Sequence, residues 1–116
     1  MIINLTPHAI RIRVSASIAA ENDPADIVIE SGGLARVGTR STVCGYIDDV
    51  PILRTEYTGV TGLPDPVEGT TYVVSLLVLQ ALPDRKDLVG PATGPNDGVV
   101  RTADGRVYAV RAWQKW

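Results

Sequence analysis

Arginine dominates the basic side chains of this sequence. Of the 11 basic residues only Lys86 and Lys115 are lysines, so the rest are arginines. A guanidinium group binds a carboxylate or phosphate through two parallel hydrogen bonds, which an ammonium group cannot do. One hypothesis is a pocket in which several guanidinium groups hold a small anion such as a nucleotide; the alternative is that they solvate the outer face of a sheet. Five lie on or just after predicted strands: Arg11, Arg13, Arg36, Arg40 and Arg54.

A second candidate for anion binding is the glycine-rich segment 90–98, whose backbone N–H groups could face a phosphate. It contains Thr93, the charged residues Arg85 and Asp87 precede it, and Arg101 follows it. The segment matches neither the phosphate loop of nucleotide-binding proteins nor the dinucleotide-binding fingerprint. The alternative interpretation is therefore an ordered loop with an internal Arg–Asp pair.

His8 is the only histidine, and histidine is the one side chain that titrates near neutral pH without a perturbing environment. A Ser–His or Cys–His hydrolase would have to use it with one of three nucleophiles: Ser31, Cys44 or Ser75. No Gly-x-Ser-x-Gly elbow occurs. The alternative is that His8 closes the bend at Pro7 by bonding the backbone. We therefore assign no catalytic residue, and favour a non-enzymatic protein over an enzyme using His8 with Ser75 or Asp87.

The acidic residues fall in pairs beside glycine or proline: Asp48 with Asp49, Asp65 with Glu68, Asp84 with Asp87, and Asp97 with Asp104. Paired acids could hold magnesium or hydrolyse glycosides, but aspartate is also favoured in turns, where its side chain bonds the local backbone. One cysteine, Cys44, cannot form an internal disulfide, and with one histidine it cannot build a structural zinc site. The sequence predicts no metal site and no cofactor.

The composition limits the fold and the partners. The chain has 116 residues, of which 45% are hydrophobic and 21% charged, which is typical of a single soluble domain over 1–116. A net charge of −2 offers no broad basic surface for duplex nucleic acid or an anionic membrane. No apolar run approaches the roughly 20 residues that cross a bilayer. We therefore expect a cytoplasmic protein with neither duplex nucleic acid nor membrane as a partner.

Short strands must position these residues. The clearest pattern lies within 9–16, where apolar and polar residues alternate over Ile10-Arg11-Ile12-Arg13-Val14-Ser15. It predicts a half-buried strand with both arginines on its charged face. Further strands are predicted over residues 2–3, 27–29, 34–39, 41–47, 50–57 and 72–74, with a turn at Asp48-Asp49 and a loop over 59–69.

Two elements complete the predicted fold. Ser75 is a good N-cap for a helix over 76–82. Ala103-Asp104-Gly105 predicts the turn of a C-terminal hairpin between 99–102 and 106–112, with Arg101 opposite Tyr108. We therefore predict a mainly β fold, a small single-domain antiparallel β-barrel or two-layer sandwich with one short helix.

Two tryptophans, Trp113 and Trp116, lie at the end of the sequence. Aromatic residues in this position either close the core of the domain or dock on a second subunit. Several short edge strands also favour pairing between copies. A homo-oligomer is therefore an expected arrangement.

A set of motifs spans nearly the whole chain: Ile3-Asn4-Leu5-Thr6-Pro7-His8, residues 62–64, residues 69–75, Arg85-Lys86-Asp87-Leu88-Val89 with Pro91, and the hairpin through Arg101. In these motifs the chain resembles a family of small, mostly uncharacterised proteins of phages, prophages and bacteria. The resemblance implies a setting in a bacterial or phage-infected cytoplasm. It also implies that Thr6, His8, Ser75, Arg85 and Asp87 come together in space.

Three functional hypotheses follow. The leading one is a non-enzymatic binding protein for a small anion, such as a nucleotide that a phage would sequester, with ligand-binding residues Thr6, His8, Ser75, Arg85, Asp87, Thr93 and Arg101. The alternative is a structural or protein-interaction protein, a virion component or an inhibitor, acting through a flat surface or a sheet edge. The third is the small enzyme using His8. The first hypothesis requires guanidinium groups to converge in a concave space.

Overall fold

A computed structural model describes residues 1–115 of the protein. The described chain is mainly β with one short helix, as the sequence predicts. Its elements are β1 (Ile2–Asn4), β2 (Ile10–Ile12), β3 (Ile27–Ile29), β4 (Arg36–Ile47), β5 (Val50–Thr61), β6 (Thr71–Val73), α1 (Leu76–Ala81), β7 (Leu88–Pro91), β8 (Val100–Arg101), β9 (Val107–Ala109) and β10 (Trp113–Gln114).

We call residues 1–35 and 62–115 the body of the protein. Its centre is a four-stranded sheet in the order β1-β6-β7-β10. β6 pairs in parallel with both β1 and β7, and β10 runs antiparallel to β7. The sheet is therefore mixed, with two parallel pairs and one antiparallel pair. Parallel neighbours cannot be joined by a hairpin turn, so crossover connections link β1, β6 and β7 along the chain. The sheets of the structure are not closed into a barrel, and the layered, sandwich-like alternative describes the body.

Both faces of the central sheet are covered. Tyr72 and Val74 pack in a cluster with Leu79 of α1, while Val73 packs on the opposite side with Val110. A strand buried on both faces is typically an unbroken apolar run, which explains why the sequence does not alternate here. Residues partly buried against the second cluster include Trp113, which therefore helps to close the core; Trp116 lies outside the described residues.

Helix α1 follows the predicted signals closely. The backbone N–H of Val78 donates to the Ser75 hydroxyl at 3.4 Å, which is the N-cap bond that the sequence predicts. Val78 and Leu79 are the buried residues of this short helix, so packing holds it in place. No helix within residues 1–115 has the length and apolar character needed to cross a membrane.

The largest single element is a long hairpin formed by β4 and β5, which we call the arm (residues 36–61). Its turn is Asp48-Asp49, with φ of 48° and 65°, the left-handed conformation that a two-residue hairpin turn requires. The sequence predicts three shorter strands, over 34–39, 41–47 and 50–57, and a loop from residue 59. The structure instead joins 36–47 into one strand and extends the next to Thr61.

Two further sequence predictions need correction. Arg101 pairs with Val107 instead of Tyr108, because a register shift separates this pair from that of Val100 with Ala109. Beyond Ile12 the predicted alternation reverses: Arg13 is 1% exposed and Val14 is 59% exposed. The strand ends at Ile12, and the Arg13 side chain turns inward to bind the loop that follows.

Candidate functional site

The seven predicted ligand-binding residues do not form one site. Thr6 and Ser75 line one open cleft, Arg85 lines a second and Thr93 a third. Arg101 is exposed on β8, where its guanidinium donates to a carbonyl of the adjacent turn at 2.9 Å. Of the residues that the family resemblance brings together, the structure pairs Arg85 with Asp87 and places Thr6 near Ser75, in two separate places.

Asn4, which sequence analysis missed, organises the bend around Thr6 and His8. Its amide nitrogen Nδ2 donates to the carbonyls of His8 at 2.8 Å and Ile29 at 3.0 Å. Its Oδ1 accepts from the backbone N–H of Thr6 at 2.9 Å and from the Thr6 hydroxyl at 2.6 Å. The bend is thus closed by the carbonyl of His8, whose side chain is exposed. The available signal was the Asn-x-Thr spacing, because asparagine favours a bond to the backbone two residues on.

Arg85 and Asp87 form an internal ion pair, which the sequence predicts as the alternative to an anion-binding loop. Nε and Nη2 of Arg85 each donate to one oxygen of the Asp87 carboxylate at 2.8 Å, and Nη2 also donates to the carbonyl of Pro64 at 3.1 Å. The guanidinium therefore holds the pKa of Asp87 below its ordinary value. The pair ties the loop after the arm to the strand β7.

Arg13 is the most completely bonded arginine. It binds both oxygens of Asp26, through Nε at 2.6 Å and Nη2 at 3.2 Å. Its remaining N–H groups donate to the carbonyls of Ser17, Ala19 and Glu21 at 2.9–3.1 Å. All five donors of the guanidinium are therefore used. Arg13 is a structural residue that holds the loop over 14–26 and leaves no donor for a ligand.

The other arginines are spread over the body and the arm. Arg11 contacts Asp26 at 3.4 Å and lies 5.2 Å from the ring centroid of Tyr108. Arg111 donates to carbonyls of Gly98 and Ser15. Each of four open clefts is lined by a single arginine: Arg85 in one, Arg36 in two and Arg11 in the fourth, so none of these four clefts contains two arginines. Where arginines do come together, at Arg11, Arg13 and Arg111, their guanidinium groups bind Asp26 and backbone carbonyls of the loop 15–26.

The carboxylates of the body predict how stability responds to acid. The pKa values of Asp26 and Asp87 are lowered, chiefly by their hydrogen bonds from Arg13 and Arg85. A carboxyl whose pKa is lower in the folded state contributes stability above its unfolded pKa and loses it as the pH falls through the folded value. We expect the thermal midpoint to be nearly level from pH 7 to about 5 and to fall below about pH 4. Differential scanning calorimetry from pH 7 to 2 checks this, and an unchanged midpoint at pH 2 would contradict it.

Asp26→Asn supplies the control for the acid response. This variant lacks the titrating carboxylate that Arg13 binds, so its lower midpoint should vary less with pH than that of the wild type. Equal slopes in the two proteins would show that other groups cause the acid response.

The arm is the surface that stands apart from the body. Among its strand residues, side chains of Val37 and Val60 pack against the core, and those further out are exposed. The exposed residues include seven large apolar ones at 38–68% exposure: Val43, Tyr46, Ile47, Val50, Ile52, Leu53 and Tyr57. Exposed apolar side chains gathered on one element mark an interaction site.

An open cleft of about 510 Å³ lies where the arm meets the body. Val37, Tyr57 and Val60 line it from the arm. Leu63, Ala81, Leu82 and Arg85 line it from the body. Tyr57 is thus both one of the exposed apolar residues of the arm and part of the lining of this concave cleft.

No group of three or more metal-binding side chains comes together within residues 1–115. Comparisons with family models, curated proteins and solved structures each found no match to this chain.

Proposed function

We propose that this chain is a non-enzymatic structural or protein-interaction protein whose contact surface is the arm. The observation that carries the proposal is the set of seven large apolar side chains exposed on the two faces of a hairpin that no other described element covers. Apolar surface left in water is unfavourable by roughly 25 cal/mol per Å² relative to burial. A partner that covers the arm gains that free energy on binding.

The geometry of the arm supports a contact role over a folding role. A two-stranded hairpin is at best marginally stable in water on its own, and here two apolar residues, Val37 and Val60, join it to the core. The described chain is also elongated, with principal extents of 54 × 38 × 21 Å. Its radius of gyration is 17.1 Å, against about 13 Å for a compact chain of this length. The arm adds surface without enlarging the core.

An arm-shortened variant tests this function. Thr42 and Arg54 are paired across the hairpin, so an Asn-Gly turn can replace residues 43–53 between them. We expect the body to keep its thermal midpoint within about 5 °C, because the deleted residues make no contact with the core. Circular dichroism on the full and shortened chains measures this. A shortened chain that fails to fold would show that the arm is part of the folding unit, and the proposed function would then be wrong.

A small-anion site remains the second candidate, since one observation favours it. Arg85 lines the cleft at the base of the arm, and its Nη1 makes no hydrogen bond within residues 1–115. The volume of about 510 Å³ suits a small ligand. However, Nε and Nη2 are already bound to Asp87, so one guanidinium nitrogen is left for a phosphate.

A nucleotide panel tests this second candidate. If the cleft binds a nucleotide, the ligand at 100 times its dissociation constant should stabilise the protein by about 2.7 kcal/mol, and Arg85→Ala should remove that effect. Thermal shift measurements with Arg101→Ala as the control would show it, because Arg101 lies on a separate hairpin. A flat response across the panel would remove the small-anion function.

A further inference from the structure

We propose that the partner of the arm is a second copy of this chain, with the two arms packed face to face and antiparallel. This inference rests on the proposed function and names its partner. The arm has two faces of different chemistry, both of its edges are interrupted, and its tip carries carboxylates that can accept a hydrogen bond from Nη1 of Arg85 in the cleft at its base. Each of these features favours one particular packing.

One face of the arm carries no charge. Cross-strand partners share a face, so the register places Val43 beside Leu53 and Tyr46 beside Pro51. The same face, which we call the inner face, holds Tyr57 and otherwise only hydroxyl side chains: Thr39, Ser41 and Thr55. The outer face also holds three exposed apolar residues, Ile47, Val50 and Ile52. Unlike the inner face it carries charge, on Arg40, Arg54 and Glu56, with an exposed Arg40–Glu56 ion pair at 3.1 Å. The inner face is therefore the side that can be buried without removing a charge from water.

Two irregularities of the hairpin place apolar residues on this inner face. Val43 and Tyr46 are three residues apart, and a regular strand would direct them to opposite faces. The register shift between Val43 and Gly45 brings them to the same face. The register shift between Gly38 and Thr39, at the base of the arm, likewise brings Tyr57 and Val60 to one face. Because Val60 packs on the core, the inner face continues the apolar surface of the body outward.

The edges of the arm are poorly suited to adding a strand. The two register shifts leave Cys44 of β4 and Thr58 of β5 as extra residues, one on each strand. A bulge interrupts the regular row of N–H and C=O groups that an added strand would need. Pro51 also lacks an N–H donor. Packing of inner faces therefore fits the arm better than pairing of its edges.

A second copy is the partner because the inner face and the ends of the arm are self-complementary. In an antiparallel pair related by a twofold axis, each tip reaches the base of the other arm. The tip carries Asp48 and Asp49, whose carboxylates have no ion-pair partner within residues 1–115. The cleft at the base contains Arg85, which already binds Asp87 through Nε and Nη2 but has no bond from Nη1 within the described chain, so this one nitrogen is left to donate to a tip carboxylate. The inner face, tip and cleft together supply slightly fewer residues a side than the roughly 20 residues a side of the smaller stable interfaces.

The closing experiment compares neighbouring residues on opposite faces. Leu53 is 59% exposed on the inner face and Ile52 is 38% exposed on the outer face. We expect sedimentation equilibrium from about 1 to 300 µM to show a reversible dimer of the wild type. Leu53→Glu should weaken the dimer at least about 100-fold, because two like charges meet in an apolar interface. The control Ile52→Glu should change it by less than about threefold.

A mixing experiment tests the antiparallel arrangement. Leu53 lies near the middle of the arm, so in this packing it lies close to its own copy. An equal mixture of the Leu53→Glu and Leu53→Lys variants should therefore recover dimer that neither forms alone. If Leu53→Glu disturbs the fold by circular dichroism, Thr55→Glu on the same face takes its place, since Thr55 is exposed and polar.

The outcomes separate this inference from the proposed function. Equal weakening by Ile52→Glu and Leu53→Glu, open-ended oligomers, or no recovery in the mixture would overturn the face-to-face pair. A wild type that stays monomeric at every concentration would also overturn it. The proposed function fails on a different result, the unfolding of the arm-shortened chain.

Discussion

Replacing Arg13 with methionine should lower the thermal midpoint by on the order of 10 °C or more. Methionine keeps much of the volume but removes five hydrogen bonds. The Asp26 carboxylate, whose side chain is 1% exposed, loses the partner that binds both of its oxygens. The carbonyls of Ser17, Ala19 and Glu21 lose their donor, so the loop over 14–26 loses its common anchor. Scanning calorimetry at pH 7 measures the effect.

Arg11→Met is the matched control for Arg13. Arg11 contacts the same carboxylate through a single 3.4 Å bond, and its side chain is 27% exposed. Exposed or partly exposed ion pairs contribute little, so this change should shift the midpoint by only a few degrees. Similar losses in the two variants would show that the burial of Arg13 does not matter.

The second large effect is expected at Gly62, which lies directly after the arm. Its φ is +78°, and a Cβ atom there would collide with the carbonyl oxygen of Leu34, just before the arm. Gly62 therefore lets the two ends of the arm approach where they join the body. Gly62→Ala should destabilise the fold by about 3 kcal/mol, from the left-handed backbone and the backbone contact together. Urea unfolding monitored by circular dichroism gives the free energy.

Gly69→Ala separates the two causes of the loss expected at Gly62, the left-handed backbone and the collision with Leu34. Gly69 has the same φ of +78°, but no atom lies within 4 Å of its added Cβ. This variant therefore has the conformational cost alone, about 1 kcal/mol. If Gly62→Ala were no worse than Gly69→Ala, the close approach at the base of the arm would not be a constraint.

Local signals in the sequence predicted the local elements well. The strand over 27–29 has the expected bounds, Ser75 caps the helix, and Asp48-Asp49 forms the hairpin turn. These elements depend on neighbouring residues, whose preferences are readable from the chain. The parallel pairing of β1 with β6 was not predicted, because it joins residues about 70 positions apart and leaves no mark in either segment alone.

The prediction that Arg13 is exposed was wrong for a physical reason. A period of two predicts an exposed arginine as long as the strand continues. The strand ends at Ile12, and the five donors of Arg13 then meet a carboxylate and three carbonyls that only the folded loop presents. Hydrogen bonding of this completeness allows an arginine to be buried. The excess of arginine thus has a largely structural explanation in the body.

The arm was predicted only in part because of its two bulges. Each bulge shifts the period of side-chain alternation by one residue, so the sequence over 36–61 shows no single apolar face. Gly45 also interrupted the strand pattern. With the register known, Val43, Tyr46, Leu53 and Tyr57 fall on one face, which could not be found from spacing alone.

Hydrogen exchange measured at two protein concentrations tests the central claim most directly. Peptides covering 43–53 report on the arm, and a peptide covering β6 reports on the buried sheet. If the arm is the contact surface between copies, arm amides should exchange at least about tenfold more slowly at 200 µM than at 1 µM, with β6 unchanged. Identical arm exchange at both concentrations, or protection that develops elsewhere on the body, would contradict the account.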